Sequence, residues 1–127
     1  MRSEEQIVLN LIKAEEFDAA KAVINQADQG GVPIDVNACD GIMLYYAHLR
    51  GGEDFVEFLL DKGAKLETFA ARKVFEESAR AGKENVVDMF LARPDAASFI
   101  KTIEYGAVSE LKVIAGGHVT RENKVYK

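Results

Sequence analysis

Apolar positions recur along this chain at helical spacing and are cut at intervals by glycine. Ser3 and two acidic residues precede Ile7, Val8, Leu11 and Ile12, which reads as an N-cap, a negative first turn and an apolar stripe. A second helix is expected over about 15–27, with Phe17, Ala20, Val23, Ile24 and Ala27 on its inner face. Gln29-Gly30-Gly31-Val32-Pro33 ends it. The next segment, 34–37, is too short for a true strand, and Asp40-Gly41 signals a turn. Ile42–Leu49 is expected to be helical and to stop at Gly51-Gly52. Glu53-Asp54 open a fourth helix whose stripe is Phe55, Val56, Leu59 and Leu60, closed by Gly63 as left-handed cap. Two further helical pairs are expected, over 70–81 and 83–92, then 97–105 and 107–115. The polar tail from Thr120 is expected to fray.

The pattern repeats. ARAGKENVVDMFLARPD (79–95) copies HLRGGEDFVEFLLDKGA (48–64), and Gly51 and Gly82 mark the same place, giving a period of 82 − 51 = 31 residues. A period of this length predicts stacked helical pairs, each burying its apolar face on its neighbours. The expected fold class is all-α: a short solenoid of helix-turn-helix units over about 3–33, 34–67, 68–95 and 96–119, forming one domain across 1–127 with a polar tail at 120–127.

The unit Asp35 to Glu67 resembles the ankyrin repeat. Asp35-Val36-Asn37-Ala38 matches the family's exit segment, and Asp40-Gly41 matches its β-turn. Leu44, Ala47, Gly51, Phe55-Val56, Leu59-Leu60 and Gly63-Ala64 stand at its core and glycine positions. The third unit keeps Phe75, Ser78, Ala79, Gly82, Val86, Val87, Phe90 and Leu91; the first and fourth keep less. The family's Thr-Pro-Leu-His opening is replaced by Ile42-Met43-Leu44-Tyr45 and by Lys73-Val74-Phe75-Glu76, so the threonine cap and histidine hydrogen bonds are lost. The shorter period implies trimmed hairpin loops between units rather than projecting β-fingers.

The resemblance implies a protein-binding face made by the first helix of each pair. In the family register its exposed positions are Asp40, Gly41, Leu49, Arg50, Phe69, Arg72, Arg80, Glu104 and Tyr105, with Tyr46 close by, and the residues expected to bind are Asp40, Tyr46, Leu49, Arg50, Phe69, Arg72, Arg80 and Tyr105. Tyrosine and arginine are the residue types that dominate interface hot spots. Against this, Tyr45 or Tyr46 could pack between repeats, and the arginines could merely solvate the surface.

Composition narrows the classes. Of 127 residues, 48% are hydrophobic and 29% charged, which fits a folded domain. The net charge of −5 and the lack of a dense basic patch argue against sequence-independent nucleic-acid binding. Cys39 is a single cysteine and forms no internal disulfide. No apolar run is long enough for a membrane span or signal segment, so a cytoplasmic protein is expected. His48 and His118 lack zinc spacing, the paired glycines lie at helix breaks rather than in phosphate loops, and no nucleophile–base–acid order appears. Neither cofactor nor metal is expected, and no catalysis. The expected partner is another protein, bound by a monomer or weak homodimer acting as an adaptor. The alternative is an acidic inhibitor or immunity-type protein that occludes a basic groove through Asp18, Glu53, Asp54, Glu57 and Glu84.

Overall fold

Each helical hairpin closes where one residue adopts a left-handed conformation. The computed structural model describes residues 1–100 together with three short strands, 111–113, 119–121 and 124–126. The helices are α1 (Ser3–Lys13), α2 (Phe17–Gln29), α3 (Ala38–Leu49), α4 (Glu53–Asp61), α5 (Phe69–Arg80), α6 (Glu84–Leu91) and α7 (Ala96–Ile100). The expected all-α class holds through residue 100.

The turns inside the pairs share one geometry. Glu15, Gly51 and Gly82 have φ of 62°, 75° and 73°. Their N–H groups donate to Ile12, His48 and Ala79 carbonyls, and the next residues donate to Leu11, Ala47 and Ser78 at 2.8–2.9 Å. This pattern satisfies the orphan carbonyls at a helix end. Glu15 therefore does in the first pair what glycine does in the others, and α2 begins at Phe17 rather than at Glu15.

The pairs stack in chain order. α3 packs on α1 behind it and α5 ahead of it, with α2, α4 and α6 each against its own first helix. Val8, Ile12, Ala20, Ile24, Met43, Leu44, Phe55, Leu59, Phe75, Val87, Phe90 and Phe99 belong to one continuous buried cluster. Phe75, Phe90 and Phe99 meet with ring centroids 5.1–6.1 Å apart, closing the third pair against α7.

Polar ties recur between neighbouring pairs. Asp28 meets Lys62 at 2.7 Å, and one pair later Asp61 meets Arg93 at 2.7 Å. Asn37 donates to the Gly63 carbonyl and accepts from the Lys65 N–H. Asp95 accepts from the Leu66 N–H, and buried Glu5 accepts from the Asp35 N–H. These bonds satisfy backbone groups in the segments 33–37 and 63–67, which contain no strand.

Three expectations are corrected. The cap of α1 is Arg2, not Ser3; its N–H is taken up by the Glu5 carboxylate at 3.1 Å. The helix expected over 107–115 is overturned, because Leu111–Val113 is a strand, β1. The fraying tail instead contains β2 (Val119–Arg121) and β3 (Lys124–Tyr126), in an antiparallel sheet of order β1-β2-β3. Lys112 pairs with Thr120 and Thr120 with Val125. Val113, Val119, Thr120 and Val125 are β-branched and favour strands, a signal that the preceding helical rhythm obscures.

Candidate binding face

The first helices leave one stripe uncovered. Helical geometry puts Phe69, Lys73 and Arg80 of α5 on one line, and all three are exposed. Subtracting the 31-residue period from 73 and 80 gives Ile42 and Leu49 on α3, with Tyr45 between them.

A pocket of about 260 Å³ opens where these stripes meet. Ile42, Tyr45, Phe69 and Ala70 supply its apolar walls, and Cys39, Asp40 and Lys73 complete it. Phe69 is 60% exposed, a large apolar surface for a ring outside any core. Lys73 Nζ stands 5.9 Å from the Phe69 ring centroid, within cation–π reach. Asp40 and Lys73 have no ion-pair partner among the described residues.

An unusual backbone builds one wall. Cys39, Asp40 and Gly41 are all left-handed, with φ of 52°, 56° and 84°, so α-helical geometry in α3 begins at Ile42. L-residues in this region cost about 1–2 kcal/mol each. Gly41 is fixed there by its neighbour: a β-carbon on it would lie 2.6 Å from Thr68 Oγ1. Thr68 in turn caps α5, accepting from the Ala71 N–H at 3.1 Å.

The expected site residues divide. Asp40 and Phe69 come together in the pocket. Leu49, Arg50 and Arg80 are exposed at the other end of the same helices. Tyr46 is half-buried and turned toward α1, with Lys13 Nζ 4.7 Å from its ring centroid. Arg72 is half-buried, and its Nε has no hydrogen-bond partner. Tyr105 lies outside the described residues. Ile42, Tyr45 and Lys73 are not among the residues the sequence places on the face; the usable signal is that Ile42 and Lys73 share one repeat position. His48 is half-buried, and its Nε2 stands 3.3 Å from Glu77 Oε1, linking α3 to α5.

On the opposite edge, Asp18, Glu53 and Asp54 line a hollow of about 460 Å³ with Phe17, Lys21 and Gly52. Glu57 and Glu84 do not line it. These carboxylates stand in the first turns of α2 and α4, where negative charge complements the helix dipole. The Glu5 carboxyl is held below its usual range. The Arg2 side chain is the main cause, the Asp35 and Arg2 N–H groups add to it, and burial opposes it.

Among the described residues no helix is long and apolar enough to cross a membrane, and no three His, Cys, Asp or Glu side chains converge as a metal cluster. Comparison with protein-family models, curated proteins and solved structures finds no match to this chain.

Proposed function

We propose that this chain is a short ankyrin-like stack that binds another protein through the exposed face of its first helices, without turnover. Support for the ankyrin-like reading comes from the repeated hairpin turns at Glu15, Gly51 and Gly82 and from the recurring Asp28–Lys62 and Asp61–Arg93 ties. The observation that carries the binding reading is the apolar pocket at Phe69, which sits at the junction of two pairs beside a ring that is 60% exposed. Large side chains left uncovered around a concave apolar spot are characteristic of recognition sites. Affinity capture from a lysate of the native cells tests it, with wild type beside Phe69→Ala and Arg80→Glu variants of equal thermal stability. One dominant partner lost in both variants supports the face; the same partner retained by both overturns it. Light scattering across micromolar concentrations is expected to give a monomer or a weak homodimer.

A second reading, an acidic inhibitor, is favoured by one observation: three of its five expected carboxylates surround the hollow at Gly52. In that case capture is insensitive to Phe69→Ala, abolished by Glu53→Lys with Asp54→Lys, and steeply weakened by salt, because exposed charges are screened.

A further inference from the structure

Resting on the first-helix reading, the charges along that face point to the chemistry of the partner. Beyond the pocket the exposed charges are cationic: Lys73 stands at its edge, and Arg80 and Arg50 lie exposed at the far ends of α5 and α3, whereas Glu76, between Lys73 and Arg80, is buried and Glu77 is engaged by His48. None of the three has an ion-pair partner among the described residues. Asp40, on the opposite wall of the pocket, is also unpaired. The face is therefore polar in the electrical sense, negative at one end of the pocket and positive away from it. The protein carries a net charge of −5, so these exposed cations run against the overall sign.

The spacing is set by helix geometry. From Lys73 to Arg80 is seven residues, and from Phe69 to Arg80 eleven, about 10 and 16 Å at about 1.5 Å per residue. An extended chain advances about 3.3 Å per residue, so the same span takes about three to five positions. Asp40 repels a carboxylate on its own side of the pocket, which fixes the direction in which the acidic group must lie.

We infer that the pocket holds one apolar side chain of a linear partner segment, and that an acidic residue three to five positions away in that segment meets Arg80 and Arg50. The anchor supplies burial, and the carboxylate supplies direction and register.

Selection of random linear peptides on the intact protein tests this, followed by titration of the enriched peptides. The enriched sequences are expected to share an apolar residue with Glu or Asp three to five positions away on one side only. Their affinity is expected to fall about tenfold or more in Phe69→Ala and in Arg80→Glu. Replacing the acidic residue of the peptide by lysine is expected to restore binding to Arg80→Glu. Both substitutions are at exposed positions, and equal melting temperatures show that the fold is retained. Peptides that are lost in Phe69→Ala or Arg50→Glu but carry no such spacing overturn this inference and leave the binding face standing. No enrichment overturns this inference and leaves the binding face to the capture experiment; peptides lost only in Glu53→Lys with Asp54→Lys overturn both.

Discussion

Gly41 and Thr68 are locked together where the second pair meets the third: a β-carbon on Gly41 would lie 2.6 Å from Thr68 Oγ1. The contact joins a left-handed turn to a helix cap, because the same hydroxyl accepts from the Ala71 N–H. Gly41→Ala is therefore expected to cost about 1–2 kcal/mol for backbone conformation and a further ~1–3 kcal/mol for crowding. Gly51→Ala is the control. Its φ is +75° but nothing lies within 4 Å of the added carbon, so only the conformational cost is expected. Denaturant melts of the two variants check the difference.

Glu15 occupies the left-handed position that glycine fills in the other two hairpins. Glu15→Gly is expected to stabilise the protein by about 0.5–1 kcal/mol, the relief of strain outweighing the greater freedom of the unfolded chain. A melting temperature raised by a few degrees shows it; an unchanged or lower one contradicts it.

Glu5 governs stability in acid. Its folded carboxyl binds a proton less tightly than the unfolded one, since Arg2 and two N–H groups favour the anion. The resulting stabilisation is complete above the ordinary carboxyl value of 4.5 and is lost as pH falls through the lower folded value. Glu5→Gln is expected to cost about 1–3 kcal/mol at neutral pH and to flatten the acid limb of a stability–pH curve. A limb of unchanged slope refutes the assignment.

Two phenylalanines separate folding from recognition. Phe75 is fully buried against Phe90 and Phe99, and Phe75→Ala is expected to cost about 3–5 kcal/mol. Phe69 is 60% exposed, and Phe69→Ala is expected to change stability by less than about 0.5 kcal/mol while weakening partner binding. Chemical denaturation and the captured partner read the two effects separately.

The helical rhythm was legible because glycine and the paired apolar positions carry it. Phe55-Val56 with Leu59-Leu60 and Val86-Val87 with Phe90-Leu91 are all buried as their spacing predicts. The first hairpin was harder to place, because Glu15 holds a conformation its side chain does not advertise. The strand β1 falls where a helix is expected because Leu111, Val113 and Ile114 fit either period over so short a run. Tyr46 and Tyr45 differ by one position and therefore by about 100° around α3. That rotation puts Tyr45 in the pocket and Tyr46 under Lys13. The exposed arginines needed only the repeat register, whereas the pocket needed the conformation of residues 39–41.

The ties from Asp28 to Lys62 and from Asp61 to Arg93 give the stack a direction. The second pair offers an anion forward, Asp61, and a cation back, Lys62, like a coupling with a plug at one end and a socket at the other. A further unit spliced between the second and third would find both fittings waiting for it. At the far end, 31 residues after Asp61, the chain places Ala92, so the series of fittings closes itself after the third pair.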